Sequence, residues 1–360
     1  MIGIIFIGDI KYCPYLNKYT NLLDDGQIKY EVLFWHRENS QIDCPPNYKF
    51  YCKYSKLSKS PIRKLWDFIG FRNWLNNELV AGKYDKLIIL STLSGVFIFD
   101  KLIKEYKKIY IFDIRDYSYE HIRLFAFIEK LVIKNSYLTA ISSSGFREFL
   151  PLNFNYQIVH NFCKNDVLDG FVKNKSLNGN IRVVFNGVIR YFDYQCKIID
   201  KLGNDNRFEL IYHGNGPDFY RFQKYVEKKK ITNVFFTGGY NNSLKKKLLE
   251  ETDIINNSYG YLGEDISNKV KYAISNKYYD GIMFRIPQLV EVGTYKCKLV
   301  EENALGIGLD VNDRDFADKL YNYYVNINTD VFNSNCSILI SEYLKEDDLF
   351  RSAVLNFFAR

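Results

Sequence analysis

The sequence predicts an α/β protein built from two doubly wound, Rossmann-like domains. Short apolar runs alternate along the chain with segments whose apolar residues recur at helical spacing, which is the pattern of βαβ units. The chain has 360 residues, about twice the usual length of one domain. A polar stretch over residues 161–180 interrupts the alternation, which starts again with an apolar run at residue 181. These observations place a domain linker in that stretch.

The first half is expected to form one parallel sheet with helices on both faces. Its first apolar run, residues 2–7, ends at Gly8 and Asp9, which is typical of a central strand that leads into a loop. Further strands are predicted over residues 30–35, 86–91, 109–113, 137–141 and 157–160. Helices are predicted over residues 16–23, 96–106, 121–135 and 142–149. Because crossovers between parallel strands have one hand, these elements form a doubly wound domain.

The second half repeats this organisation. Strands are predicted over residues 181–186, 208–213, 233–237, 254–257 and 288–292. Helices are predicted over residues 195–202, 219–228, 243–251, 277–284 and 294–303, and the tail from residue 315 to residue 360 is also helical in pattern. Residues 259–276 are interpreted as a loop.

The domains are therefore assigned as residues 1–165, residues 166–335 and a C-terminal helix, residues 336–360, that packs back towards the first domain. Ligands of doubly wound domains bind at the carboxyl ends of the strands. A ligand cleft is thus expected between the two domains.

Composition excludes several classes of protein. Seven cysteines without a CxxC pair, and only four histidines, indicate a reducing cytoplasm and no structural zinc. The N-terminus, MIGIIFIGD, lacks the features of a secretion signal, and the longest apolar stretch, residues 87–99, is too short to span a bilayer. The net charge of +7 fits an anionic small ligand, an acidic membrane surface or nucleic acid. Short lysine runs at residues 228–230 and 245–247 are interpreted as solvated helix faces.

Several candidate site residues follow strands at one edge of the second predicted sheet. Gly187 and Arg190 follow the strand over residues 181–186. The glycine lets a ligand approach the backbone, and the arginine offers five donors to a diphosphate. Gly214 and Gly216 lie in the turn HGNGP, which is typical of phosphate loops, although a plain turn has the same composition.

The same edge carries two further features. Gly238 and Gly239 follow a predicted strand, and Lys277 and Asp280 lie at the start of a predicted helix. A lysine and a carboxylate three residues apart can bind diphosphate and ribose hydroxyls, or can form only a weak surface pair with each other. Each feature alone also fits turn or surface chemistry, so it is their common position that predicts a site.

A turn at Gly293 and Thr294 joins the strand that begins after Pro287 to the next helix. The N-terminus of a helix carries unpaired N–H donors and partial positive charge. This turn is therefore expected to face a phosphate.

The first domain has one candidate site of its own. Asp113, Arg115 and Asp116 end the strand over residues 109–113. Two acids and an arginine are not expected in a core, so they indicate either a site or a capped helix start. The serines at residues 142–144 are interpreted as a helix N-cap.

The order of these pieces resembles a known family. The chain is similar to GT-B glycosyltransferases of the glycosyltransferase family 4 type, which are common in bacterial capsule, exopolysaccharide and lipopolysaccharide assembly. The resemblance covers nearly the whole chain. The matching segments are residues 112–116, 139–143, 159–161, 187–190, 212–217, 233–238 and 280–287.

The resemblance implies transfer of a sugar from a nucleotide-sugar, with the acceptor on the first domain and the donor on the second. It implies no metal or other cofactor, because arginine, lysine and helix N-termini offset the charge of the leaving diphosphate. The implied partners are a nucleotide-sugar and a saccharide or lipid-linked saccharide, not nucleic acid. The resemblance also implies that the configuration at the anomeric carbon of the sugar is retained. It further implies a cytoplasmic location and peripheral contact with the inner face of the membrane.

Carried over by position, the resemblance assigns Arg190 and Lys277 to the diphosphate, Asp280 to the ribose, and Gly214 and Gly216 to the nucleotide. Gly187 belongs to the same donor-binding set, Thr294 is expected to face the phosphates or the sugar, and Asp113 and Asp116 are the expected catalytic residues.

The chain departs from the family pattern at three of the positions where that pattern has a charged residue. The first of the family's paired glutamates is replaced by Tyr272, and the second is the shorter Asp280. The lysine that usually follows the arginine is replaced by Gln195, so Lys277 is expected to supply that charge. Two other functions stay open: a nucleotide-sugar epimerase of the same fold, and a non-catalytic partner subunit.

Overall fold

The computed structural model describes residues 1–38, 42–54, 61–162, 179–260 and 264–360. The chain divides into two compact units. The first unit comprises Met1–His160 and Glu346–Arg360, and the second comprises Asn161–Lys345.

The first unit contains a parallel sheet of seven strands in the order β3-β2-β1-β4-β5-β6-β7. At its centre, Ile4 pairs with Val32 on one side and with Ile88 on the other, and the strand order reverses at this point. The strands are β1 (Ile2–Phe6), β2 (Tyr30–His36), β3 (Tyr48–Cys52), β4 (Lys86–Leu90), β5 (Tyr110–Ile114), β6 (Leu138–Ile141) and β7 (Tyr156–Ile158). Its helices are α1 (Asn17–Asp25), α2 (Pro61–Gly82), α3 (Thr92–Phe97), α4 (Phe99–Lys104) and α5 (Arg123–Asn135).

The second unit contains a parallel sheet of six strands in the order β10-β9-β8-β11-β12-β13. The strands are β8 (Ile181–Asn186), β9 (Phe208–His213), β10 (Val234–Gly238), β11 (Ile254–Asn256), β12 (Gln288–Glu291) and β13 (Gly306–Leu309). The helices are α6 (Phe192–Leu202), α7 (Phe219–Lys228), α8 (Lys245–Glu250), α9 (Glu264–Tyr272), α10 (Asn276–Met283), α11 (Tyr295–Glu302) and α12 (Phe316–Asn326). Because β8 lies between β9 and β11, this sheet also reverses its order at its first strand.

The last helix, α13 (Thr329–Ala359), contributes to both units. Phe332 and Cys336 from its beginning are buried in the core of the second unit. Phe350 and Phe357 from its end are buried in the core of the first unit, where the ring of Phe350 lies 5.5 Å from that of Tyr19. The boundary predicted between residues 335 and 336 falls inside a helix, because α13 begins at Thr329 and continues without a break to Ala359. The expected linker lies mostly in residues 163–178, outside the described residues.

Several elements differ from the sequence prediction. The helix predicted over residues 96–106 is two short helices, α3 and α4, that meet at the buried Ile98, and the helix predicted over residues 142–149 is a 3₁₀ helix over Ser144–Glu148. β3, α2 and β13 were not predicted, and the predicted loop over residues 259–276 contains α9. β3 lies at the edge of its sheet and shows no fully buried residue, so it lacks an apolar run. None of the described helices is long and apolar enough to cross a bilayer.

Candidate functional site

Three loops meet at the carboxyl edge of the second sheet. The N–H of Gly187, after β8, donates to the carbonyl of His213 at 2.9 Å, and the N–H of Ile189 donates to that of Asn215 at 3.0 Å. The N–H of Gly214, after β9, donates to the carbonyl of Gly238 at 2.8 Å. The loops predicted to form one site are thus bound to each other through their backbones.

Gly214 and Gly216 make this close approach possible. A Cβ on Gly214 would lie 1.8 Å from the carbonyl oxygen of Gly187, and one on Gly216 would lie 2.1 Å from that of Ile189. Gly214 also has a φ of +134°, which favours glycine. The close packing between the loops is therefore enough to explain why glycine stands at both positions, whether or not a nucleotide binds there.

Lys277 is the unusual charge at this edge. Its side chain is buried, and its ammonium lies 3.8 Å from the centre of the Phe185 ring and 3.9 Å from the place a Cβ would take on Gly187. Its Nζ donates to the Tyr259 hydroxyl at 3.0 Å, and it forms no salt bridge in the part of the chain that the structure describes. Burial lowers the pKa of Lys277 to about 7, although Asp280 acts in the opposite direction. Repulsion from Arg190 adds to the lowering.

Arg190 is exposed, in contrast to Lys277. Its guanidinium lies over the ring of Tyr191, 4.8 Å from the centroid. Tyr191 precedes α6 with a φ of +67°, an unfavourable value for a residue with a side chain. The strained residue and the cation beside it lie in the loop that follows β8.

Asp280 is buried and has a partner that the sequence did not reveal. Lys245, at the start of α8, donates to Oδ1 of Asp280 at 2.7 Å. Burial raises the pKa of Asp280, and Lys245 and Lys277 act against that rise. Interpreting the run at residues 245–247 as a solvated face was wrong for its first lysine, whose partner lies 35 residues further along the chain.

Asn186, the last residue of β8, is buried beside Asp280. Among the described residues, its Oδ1 has no hydrogen-bond partner. A buried amide oxygen without a donor costs free energy, and a ligand that supplies one removes the cost.

Gln195, where the family pattern has a lysine, belongs to a buried hydrogen-bond network. It donates to the carbonyl of Ser258 at 2.6 Å and accepts from the Tyr212 hydroxyl at 3.1 Å. A lysine there would lose the bond from Tyr212, because an ammonium cannot accept.

Thr294 caps α11 with its hydroxyl. Oγ1 accepts from the N–H of Cys297 at 3.1 Å and donates to the carbonyl of Glu291 at 3.1 Å, and the residue is buried. Lys296 in the same turn forms a buried ion pair with Glu291 at 3.2 Å. The single hydrogen of the Thr294 hydroxyl is donated within the protein, so any hydrogen bond that this turn donates to a phosphate comes from its backbone.

Asp113 and Arg115 form a buried ion pair in the first unit, with 2.6 Å between Oδ1 and Nε. Oδ2 of Asp113 also accepts from Arg115 and from the hydroxyl of Tyr19, both at 2.7 Å. The expectation that these residues cannot belong to a core was wrong, because each offsets the charge of the other. Asp113 has no exposed surface, whereas Asp116 is exposed.

A cavity of about 540 Å³ lies at the carboxyl ends of β1 and β2 in the first unit. Asp9 and His36 both line it, and Nδ1 of His36 lies 2.8 Å from Oδ2 of Asp9. Neither residue was predicted for this role, because they lie 27 positions apart and no sequence spacing connects them. Within the described ranges, no group of three or more His, Cys, Asp or Glu side chains is placed to hold a metal ion.

Comparison with solved structures identifies the class of fold. Sucrose-phosphate synthase from Thermosynechococcus elongatus matches with a TM-score of 0.69 at 10% identity, over 99% of this chain and 94% of that one. HepE from Anabaena, in complex with UDP, matches with a TM-score of 0.68 at 11% identity over 99% of both chains. The lipopolysaccharide outer core galactosyltransferase WaaB matches with a TM-score of 0.66 at 14% identity, also over 99% of both.

No protein-family model and no curated protein sequence matches this chain. The structural matches confirm the predicted fold class, two Rossmann-like domains of the GT-B type. At these identities the likeness concerns the fold alone.

Proposed function

We propose that this protein is a glycosyltransferase that moves a sugar from a nucleotide-sugar to a saccharide acceptor. The observation that carries the proposal is the buried ammonium of Lys277 beside the exposed Arg190, at the carboxyl edge of the second sheet. A buried cation that has no salt bridge among the described residues and is repelled by a second cation costs free energy. A diphosphate placed between them removes that cost.

The residues divide the donor between them. Lys277 and Arg190 bind the diphosphate and stabilise the negative charge that develops as the bond from the sugar to the phosphate breaks. Asp280, held by Lys245, accepts hydrogen bonds from the ribose hydroxyls, and Asn186 offers its free amide oxygen to a donor of the nucleotide. Gly187, Gly214, Gly216 and Thr294 shape the surface on which the donor lies.

The acceptor binds to the first domain, and the Asp9–His36 cavity is the place that we assign to it. Asp116, which is exposed, is the remaining candidate for a catalytic carboxylate there. We assign Asp113 a buried, supporting role in this catalytic site, because Arg115 and Tyr19 already bind both of its carboxylate oxygens.

We extend the proposal to the biological setting. Solved structures of similar fold include HepE in complex with UDP-glucose, and WaaG, described as involved in lipopolysaccharide biosynthesis. The family 4 resemblance alone is the basis for proposing a retaining, metal-independent enzyme without a cofactor. We place it in capsule, exopolysaccharide or lipopolysaccharide synthesis, acting on a lipid-linked saccharide at the cytoplasmic face of the membrane.

Thermal unfolding with added nucleotides tests the donor site. UDP, GDP and dTDP are each compared with the corresponding nucleoside, because a ligand that binds only the folded state raises the melting temperature by mass action. At least one diphosphate is expected to raise the melting temperature by more than its nucleoside does. Equal shifts for both, or none, would contradict a diphosphate site. Analysis of the sugar product without acceptor separates a transferase from an epimerase.

A further inference from the structure

The ring of Tyr259 lies beside two lysine ammonium groups at the candidate donor site. Tyr259 follows β11, and its hydroxyl accepts a hydrogen bond from Nζ of Lys277 at 3.0 Å. Nζ of Lys296 lies 4.4 Å from the centre of the same ring. The ring also contacts that of Tyr191 edge to face, with 5.3 Å between the centroids, and the guanidinium of Arg190 lies over Tyr191. Tyr259 therefore contacts three cations of this site, two directly and one through Tyr191.

The two lysines beside Tyr259 differ in whether an acid offsets their charge. Lys296 forms an ion pair with Glu291 at 3.2 Å. Lys277 forms no salt bridge among the described residues, and its ammonium contacts the hydroxyl of Tyr259 and the ring of Phe185, 3.8 Å from the ring centre. A hydroxyl oxygen and an aromatic ring attract a cation without cancelling its charge. Neutral groups thus hold the Lys277 ammonium in place, and its charge remains available to an anion.

The loop that carries Tyr259 is fixed on both sides of this residue. The carbonyl of the preceding residue accepts from Nε2 of Gln195 at 2.6 Å, and the N–H of Tyr259 donates to Oε2 of Glu291 at 3.3 Å. The following residue, Gly260, has a φ of +90°, and a Cβ there would lie 2.5 Å from the ring of Tyr194. Because these contacts fix the backbone, the Tyr259 hydroxyl has a defined position, which a residue that orients another side chain requires.

We infer that Tyr259 is a positioning residue of the donor site, which holds the Lys277 ammonium beside Phe185 so that the ammonium can bind a phosphate group of the donor. This inference rests on the proposed function and adds to it a residue that acts through Lys277. Tyr259 is not assigned a contact with the donor itself. A neutral partner suits this role, because an acid in its place would offset the charge that attracts the phosphate.

A double-mutant cycle on the full chain tests the inference. The ligands are the one of UDP, GDP and dTDP that the wild type binds most tightly, and its nucleoside, titrated below pH 7 where Lys277 carries its charge. Tyr259→Phe should lower the affinity for the diphosphate at least about fivefold, because the ammonium loses the hydrogen bond that fixes its position. The affinity for the nucleoside should not change. In the Lys277→Met background, Tyr259→Phe should have no further effect on the diphosphate, because the side chain that it positions is absent.

Tyr225→Phe is the matched control. Tyr225 lies on α7 of the same unit and donates its hydroxyl to Asp200 at 2.9 Å, outside the donor site, so this variant should bind both ligands like the wild type. Wild-type affinity for the diphosphate in Tyr259→Phe would overturn the inference and leave the proposed function standing. The same fold loss with and without Lys277 would also overturn it, because Tyr259 would then support the loop alone. Equal affinity of the wild type for the diphosphate and its nucleoside would overturn both the inference and the proposed function.

Discussion

Four buried ionisable side chains of this protein differ in whether a partner compensates their burial. Asp113 is paired with Arg115, and Asp280 with Lys245. Lys277 and Glu129 have no ion pair in the described part of the chain. A buried charge without a partner is either neutralised by a pKa shift or stabilised by a ligand. Lys277 lies in the candidate site and Glu129 lies outside it, so the two are expected to respond to different conditions.

Binding of UDP is expected to weaken as the pH rises above 7. The pKa of Lys277 is about 7 without a ligand, and a bound diphosphate raises it, so binding above this pH requires uptake of a proton. The affinity should fall by up to about tenfold per pH unit. Calorimetric titration of UDP from about pH 7 to about pH 9 measures this slope, together with the proton uptake.

Lys277→Met should bind UDP more weakly at pH 7 and show no such slope. Lys298→Met is the control, because Lys298 is an exposed lysine of α11 whose Nζ lies 3.9 Å from Glu302. The same slope in Lys277→Met as in the wild type would show that another group takes up the proton.

Asp280→Ala and Arg190→Ala are each expected to lower the affinity for the nucleotide, but for different ligands. Asp280→Ala removes the ribose acceptor and leaves Lys245 without its partner, so nucleosides and diphosphates both lose affinity. Arg190→Ala removes a charge-assisted contact, which is worth about 1.5 to 3 kcal/mol, from diphosphates only. Competition binding with UDP and uridine measures both variants. Equal losses for the two ligands in Arg190→Ala would exclude a phosphate contact.

Glu129, which lies outside the candidate site, should make the folding stability of the protein depend on pH. Burial, with a contribution from Glu120, raises its pKa from 4.5 to about 9. Because the folded pKa is the higher one, the stability present below pH 4.5 is lost progressively as the pH rises towards 9. Glu129→Gln keeps the shape without a proton to lose, so its melting temperature should exceed that of the wild type by an amount that grows with pH. Melting curves that stay parallel across this range would contradict the assignment.

At the scale of elements, the glycines of the donor loops serve two different purposes. Position 214 must be glycine because a Cβ there would collide with the neighbouring backbone. A Cβ on Gly293 would meet nothing within 4 Å, so only its φ of +80° favours glycine there. Gly293→Ala should therefore cost only the backbone strain, about 1 to 2 kcal/mol. Gly214→Ala should cost more, about 3 kcal/mol or above, and should reduce UDP affinity because the loops separate. Urea unfolding of both variants measures the difference, and equal costs would contradict the packing explanation.

Most elements could be predicted because their residues carry their own signal. β1, β5 and β8 are apolar runs that lie between other strands, where continuous burial produces that pattern. β3 at the sheet edge and α9 lack such a signal. The ion pair between Asp113 and Arg115 was predictable from the sequence but was not predicted. The two residues lie two positions apart at the end of a strand, and this spacing places both side chains on the same face of the sheet.

Only part of the candidate site was predicted from the sequence. Gly187 and Arg190 follow a strand and Lys277 opens a helix at the same sheet edge, so they could be placed from the order of the elements, whereas the pairing of Lys245 with Asp280 and that of Asp9 with His36 were not predicted. Their partners lie 35 and 27 residues away, and only the folded chain brings them together. No local pattern encodes such a contact.

At the scale of the whole molecule, the proposed function assigns to the second domain a cationic site for a leaving diphosphate. The most direct test is release of nucleoside diphosphate from a panel of sugar nucleotides, with and without a lipid-linked saccharide acceptor. We predict acceptor-dependent release from at least one donor, unchanged by a metal chelator. Lys277→Met should reduce this release by at least about a hundredfold, because it removes a charge-stabilising contact. No release from any donor, or equal release by Lys277→Met, would contradict it.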